Sequence, residues 1–382
     1  MVDAGAMVNC ILENNRGAVM MTAPAGRVRP RVYAEQLSTQ VTERQYLTNN
    51  FPDLVAVFET LILPARTAEE IPPAAASAAA ILREGGVVAV PTETVYGLAC
   101  DALDADAAAK VFAAKERPSF DPLIVHVAAG HWIETLTEAH GAVLALAHRL
   151  AAEFWPGPLT MVLPAKPLVP DLVRSGLPTV ALRCSAHPVM AAVVAGLGRP
   201  VAAPSANRFG RISPVTAAHV AEELGGRIPL ILDGGPCRHG LESTIVAVET
   251  GRLIILRPGP VTVEMLRAVA PVERLASDRA EVRAPGMLES HYAPRTPLRF
   301  WPADAPLPDD ASESGILAFG AVGPGFRVVE VLPSDPADAA PLFFSALRRL
   351  DAAGVRCIYA RPVDESGLGM AIMDRLRRAA HD

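Results

Sequence analysis

The chain is poor in the features that most often announce a function. Its 382 residues hold five cysteines, Cys10, Cys100, Cys184, Cys237 and Cys357, and no two are spaced CxxC. An odd, scattered set argues against a disulfide framework and a structural zinc site, and it fits a reducing cytoplasm. No uninterrupted apolar run reaches the roughly 20 residues that a membrane-spanning helix needs. The N-terminus lacks the charged-then-apolar pattern of a signal peptide. Net charge is −6 and charged residues are only 20%. Nothing overall advertises a nucleic-acid or membrane-surface binder, although a local basic cleft remains open. The common nucleotide and hydrolase signatures are missing too. There is no GxxxxGK[ST], Gly320, Gly323 and Gly325 have the wrong spacing for a dinucleotide loop, and neither HExxH nor GxSxG occurs. If ATP binds, it binds outside these designs.

What is present is enough for two domains. Hydrophobic residues make up 51% of the chain, so a packed core is expected over most of it. The rest is organised around the stretch from Pro91 to His126. Val87–Val90 reads as a buried strand stopped by Pro91. Thr92, Glu93 and Thr94 then present two hydroxyls and a carboxylate in a polar loop. Asp104 caps a helix through Lys115, with Ala108, Val111 and Phe112 at helical spacing. A basic turn, Lys115 to Ser119, precedes a strand over Leu123–Val127 that contains His126. Lys115 and Arg117 beside a threonine-rich loop suit an anionic substrate such as a phosphate chain. They equally suit a solvated helix end.

Along the chain, residues 1–58 carry no motif. They read as an appended segment, or as the product of a start placed too far upstream, with a weak helix over Phe51–Leu61. Helices are expected over Thr67–Glu84, His140–Phe154, Pro188–Ala195 and Val215–Leu224, the last capped by Ser213 with Pro214 first. Strands are expected over Leu159–Leu163, Thr179–Cys184 and Leu230–Asp233, with a hairpin pairing Ser243–Val248 and Leu253–Arg257. Residues 271–298 read as a linker. From Leu298 a small α/β pattern restarts: strands at Gly315–Phe319, Arg327–Val331 and Cys357–Ala360, and helices at Ala337–Ala353 and Gly369–Ala380. The fold class is α/β on a mixed sheet with a small, Rossmann-like second domain. The domains divide as 1–58, 59–270, a linker 271–298, and 299–382.

PTETVYGL, then KxRP, then PLIVHV, followed by PSAN, ESTIV and LRPG in that order, resembles the Sua5/YrdC family over about residues 60–298. GLGMAIMDRLRRAA resembles the C-terminal extension of its Sua5 members. The resemblance implies a YrdC-like twisted sheet and synthesis of L-threonylcarbamoyladenylate from L-threonine, bicarbonate and ATP. It implies magnesium arriving with ATP rather than a protein-built metal site. The product would pass to a partner transferase that completes t6A at position 37 of tRNAs decoding ANN codons. By the same resemblance, Thr92, His126, Arg183, Ser205 and Ser243 surround the threonine. Lys115, Arg117, Ser119, Thr179, Asn207 and Arg257 surround the ATP. Pro285-Gly286-Met287 and His291-Tyr292 cross the cleft mouth as a lid that keeps water from a labile carbamate. No general acid or base is identified. Each short motif alone is also a capped turn, and the linker is also a plain tether.

Three departures from the family pattern bear on affinity. Ala99 stands where glycine is frequent, Asp121 replaces a common Asn beside the expected phosphate site, and Leu288-Glu289-Ser290 stands where a basic pair is frequent. Two other classes fit parts of the pattern. One is an RNA-binding YrdC-like module with a basic face for tRNA or double-stranded RNA. The other is a carbamoyl-transfer enzyme related to hydrogenase maturation, against which the lack of CxxC pairs counts.

Overall fold

The computed structural model describes residues 7–14, 17–24, 59–274, 291–302 and 304–380. The expected helix over Phe51–Leu61 lies mostly outside these residues, and Leu61 opens a strand instead. Pro285, Gly286, Met287 and Leu288-Glu289-Ser290 also lie outside the described residues. Two units are present, 1–58 and 59–382. In the first, β1 (Met7–Asn14) and β2 (Gly17–Pro24) form an antiparallel hairpin, which the sequence reading did not anticipate.

The second unit is built on eleven strands: β3 (Leu61–Pro64), β4 (Val88–Val90), β5 (Gly97–Asp101), β6 (Ile124–His126), β7 (Leu159–Pro164), β8 (Thr179–Arg183), β9 (Val201–Ala202), β10 (Leu230–Asp233), β11 (Thr244–Glu249), β12 (Arg252–Arg257) and β13 (Val272–Arg274). They make one mixed sheet in the order β13-β12-β11-β7-β8-β6-β9-β5-β4-β10-β3. A second, all-parallel sheet of β14 (Leu298–Phe300), β15 (Gly315–Phe319), β16 (Val328–Leu332) and β17 (Ile358–Ala360) runs in the order β14-β17-β15-β16. The expected mixed α/β architecture with a smaller second sheet is what the chain adopts.

Local chemistry explains most elements. Asp104 accepts from the backbone N–H of Asp106 and Ala107, starting helix Ala105–Lys115, and Glu116 ends it in the left-handed region. Helix Ile71–Arg83 begins with its two prolines in the first turn. Its alanines allow close packing on helix Pro188–Leu197, where a Cβ on Gly196 would lie 3.3 Å from that of Ala79. Three expectations are corrected. Gly97–Asp101, read as part of a polar loop, is a fully buried strand between β4 and β9, so it shows no alternation. Helix Ala217–Leu224 is capped by Thr216, not Ser213, whose hydroxyl is drawn to Glu242 instead. The linker 271–298 contributes β13 at its start, parallel to β12.

The second sheet is not a separate body beside the first. Phe343, Phe344, Leu347 and Leu376 share one buried cluster with Val215, Leu224 and Leu241 of the first. Gly240 marks a close approach. Its φ is +67°, and a Cβ there would lie 2.5 Å from the carbonyl oxygen of Ala340. Among the described residues no helix is long and apolar enough to cross a membrane.

Candidate active site

Strand register gathers the polar residues on one rim of the large sheet. β6 and β8 run parallel with His126 opposite Arg183. β7 runs against β8 with Thr160 opposite Arg183, and β11 follows β7 with Thr244 opposite Leu159. Thr160 therefore meets Ser243, hydroxyl to hydroxyl, at 2.8 Å. Arg257, at the end of β12, donates to the Ser243 carbonyl from Nε at 3.1 Å and from Nη2 at 3.0 Å.

His126, Arg183, Ser243 and Arg257 line one cavity with Thr92, Thr94, Arg117, Ser205, Glu242, His291 and Tyr292. Its volume is about 40 Å³ for the centre of a water-sized sphere, room for a few waters. Small-molecule sites usually run to roughly 300–1,000 Å³. The rings of His291 and Tyr292 take up part of the space, 4.1 Å apart. Tyr292 is buried with φ 63°, a left-handed conformation that is uncommon for a bulky residue and costs roughly 1–2 kcal/mol.

The cavity wall is charged but balanced. Arg183 Nη2 lies 2.8 Å from Glu93 Oε1, Nη1 donates to Thr94 Oγ1 at 2.8 Å, and Nε donates to the Gly157 carbonyl at 3.3 Å. Ser185 donates to the other Glu93 oxygen. Burial alone would push the Glu93 carboxyl up, but Arg183 and Ser185 outweigh it and hold the group down at about 2. Arg117 pairs with Asp121 at 2.8 Å and donates to the Asp121 and Pro122 carbonyls. Asp121 is thus neutralised, not an extra negative charge facing the site. Burial, with Arg183 adjacent, lowers His126 to about 3, so it stands as a neutral imidazole. Burial holds His291 well below its ordinary value, and Arg117, Lys115 and Arg257 push the same way.

Placement of the other expected residues is uneven. Thr92 is on the wall, but its hydroxyl donates to the Val95 carbonyl and accepts from the Thr94 and Val95 N–H groups, so it also ties its own loop. Lys115 is buried beneath the Pro204–Asn207 loop and donates to the carbonyls of Ser205 and Asn207. Burial lowers its ammonium well below the usual value. Asn207 donates to the Arg208 and Arg211 carbonyls at 2.8 Å and supports the same loop. Ser119 is exposed on the turn after Lys115, away from the wall. Thr179 starts β8 opposite Pro164, four residues and roughly 13 Å from Arg183. Met287 lies outside the described residues. Glu93, Thr94 and Glu242 were not among the expected site residues. Each stands inside or beside a quoted motif, PTET or ESTIV, but only the fold shows that they face the arginines.

Three buried guanidinium groups around a small cavity form a preorganised anion site, suited to carboxylate and phosphate oxygens. Among the described residues no group of three His, Cys, Asp or Glu could hold a metal ion. The wall carboxylates of Glu93 and Glu242 are already engaged with arginines and serines.

Two family models match the chain. One, described as "Telomere recombination", covers the Sua5, YciO and YrdC proteins and matches residues 80–259. The other, "Threonylcarbamoyl-AMP synthase, C-terminal domain", matches residues 261–381. A threonylcarbamoyl-AMP synthase of Pyrococcus abyssi is 39% identical over 79% of this chain and 93% of its own length. One of Bacillus subtilis is 40% identical over 81% of this chain and 93% of its length. The crystal structure of P. abyssi Sua5 complexed with L-threonine aligns with a TM-score of 0.76 at 37% identity, covering 84% of this chain and 98% of that one.

Proposed function

The chain belongs to the Sua5/YrdC family, and we propose that it makes L-threonylcarbamoyladenylate from L-threonine, bicarbonate and ATP, releasing pyrophosphate. The observation that carries this reading is the convergence of Arg183 with His126, and of Arg117 with Arg257, on one cavity roofed by His291 and Tyr292. Arg183 holds the threonine carboxylate. Ser243 lies on the threonine side with it, Arg117 and Arg257 face the phosphates, and Lys115 and Asn207 shape the loop that carries Ser205. Full-length relatives named for the synthase favour this reading over an RNA-binding module or a carbamoyl-transfer enzyme.

The threonine amine adds to bicarbonate and water is lost, giving a carbamate. A carbamate oxygen then attacks the α-phosphorus of ATP. The new P–O bond forms as the bond to the β-phosphate bridge breaks, and pyrophosphate carries the electron pair away. No side chain on the wall is suited to take the proton. His126 is a weak base at about 3, and both carboxylates are paired, so the site works by positioning and charge. Magnesium would come bound to ATP, where it would supply charge neutralisation at the phosphates. His291 and Tyr292 form a lid. They withdraw to admit the nucleotide, which a cavity of this size does not hold, and close to exclude water. The product then serves a separate transferase that completes t6A on tRNA.

Pyrophosphate release from ATP, with and without threonine and bicarbonate, tests the reading. Release should need both co-substrates, and threonylcarbamoyl adenylate should appear by mass. ATP binding without turnover under every combination would overturn it.

A further inference from the structure

Arg375 is fully buried, although it belongs to the last helix, Gly369–Ala379. Its Nε donates to Glu242 Oε2 at 3.0 Å, and Nη1 donates to the Pro258 carbonyl at 2.7 Å and to Asp374 at 2.9 Å. The guanidinium carbon stands 5.3 Å from the centre of the Tyr292 ring. Glu242 and Tyr292 both line the cavity. The same helix holds the neighbouring lid residue, since the His291 N–H donates to the Arg378 carbonyl at 3.3 Å. Phe344 of helix Pro336–Ala352 backs the Tyr292 ring at 5.9 Å.

Two requirements meet at this one side chain. Glu242 is a buried carboxylate on the wall shared with Arg257 and Arg117, where an uncompensated negative charge would repel phosphate. Tyr292 is held in a left-handed backbone conformation, which is costly for a bulky residue. A planar guanidinium can bond the carboxylate along one edge and present its face to the ring, which an ammonium cannot do.

We propose that Arg375 is a positioning residue of the cleft: it neutralises Glu242 on the nucleotide side and latches Tyr292 in the closed position, so that the C-terminal domain controls the lid. This rests on the synthase reading for its kinetic consequence, but the latch itself is visible without turnover.

The test uses the full chain with Arg375→Lys, with Arg375→Met, and with Arg375→Met combined with Glu242→Gln. The paired change removes both charges together, so no buried carboxylate is stranded and folding is retained. Hydrogen exchange of the peptide containing His291 and Tyr292 should quicken at least tenfold in the double variant, with β7 and β8 unchanged. In Arg375→Met alone, which leaves Glu242 charged, the KM for ATP should rise at least fivefold while that for threonine stays within twofold, and adding Glu242→Gln should bring the ATP KM back toward the parent. Arg375→Lys, which keeps the charge, should hold the ATP KM within twofold of the parent and still show the fast exchange. Exchange within twofold of the parent in the double variant, or an ATP KM within twofold of the parent in Arg375→Met, would overturn the proposal. So would equal changes in both KM values with a lowered melting point, which mark a structural role alone. If the parent releases no pyrophosphate, the synthase reading fails, and the exchange result still decides the latch.

Discussion

Arg183 has two partners to satisfy, and that sets how its substitutions behave. It neutralises Glu93 inside the wall and has guanidinium edge left for a substrate carboxylate. Arg183→Lys keeps the charge beside Glu93 but loses the fork. Threonine affinity by titration calorimetry should fall about 10- to 100-fold, the scale of a charged hydrogen bond at about 1.5–3 kcal/mol. Arg183→Ala should abolish threonine binding, and normal affinity in that variant would remove the assignment. Glu93 also predicts an acid response. Its carboxyl ionises at about 2 in the fold against an ordinary 4.5, so the unfolded chain takes the proton first as pH falls. The stabilisation is whole above 4.5 and drains away toward 2, and it amounts to about 3 kcal/mol. His126 adds to the same trend from higher pH. At about 3 when folded and 6.5 when unfolded, it stays neutral while the unfolded chain protonates, so stability declines as pH drops below 6.5. Urea unfolding between pH 7 and 3 should show a fall beginning near 6.5 and steepening below 4.5. Glu93→Gln should flatten only the lower part. A variant that steepens there would contradict the pairing.

Elements fixed by local signals were legible in the sequence; those fixed by partners were not. Helix Ala105–Lys115 follows from Asp104 and its apolar spacing, and the hairpin of β11 and β12 from its flanking apolar runs. Strand β5 has no alternation because both faces are buried, so its glycine and alanine looked like loop. Thr179, which the resemblance places at the ATP, starts β8, while Arg183 ends it. Ser213 looked like a helix cap because it precedes Pro214, yet Glu242, far along the chain, takes its hydroxyl. The turn at Gly240 shows how tightly elements of the two sheets meet. Gly240→Ala brings a Cβ to 2.5 Å from the Ala340 carbonyl at a φ of +67°, so both contact and backbone oppose it. It should cost about 1–3 kcal/mol in urea unfolding. Gly251→Ala, at φ +75° with nothing within 4 Å, is the control that carries the backbone strain alone, and it should cost less.

At the scale of the molecule, the sequence suggested two domains and a linker, and nothing in DRLRRAA distinguished a buried arginine from a solvated basic helix end. The fold joins the two sheets through one apolar cluster and through cross-pairs such as Arg348 to Glu223 at 3.3 Å and Arg375 to Glu242 at 3.0 Å. Domains joined by a small polar interface unfold separately, whereas a shared core makes each the solvent shield of the other. Residues 59–382 should therefore unfold in one step. Trp301 lies in the second sheet's region, while Trp132 and Trp155 lie with the first. With Trp132→Phe and Trp155→Phe in place, Trp301 fluorescence reports the C-terminal part alone. Its urea midpoint should coincide with that of the helical circular dichroism signal, which is spread over both parts. Threonine and a non-hydrolysable ATP analogue, bound at the rim of the large sheet, should then raise the Trp301 midpoint as well, because a ligand that binds only the folded state stabilises everything that unfolds with it. Separate midpoints, or a Trp301 transition blind to ligand, would mean that the C-terminal domain can let go of the cleft while the sheet beneath it stays folded.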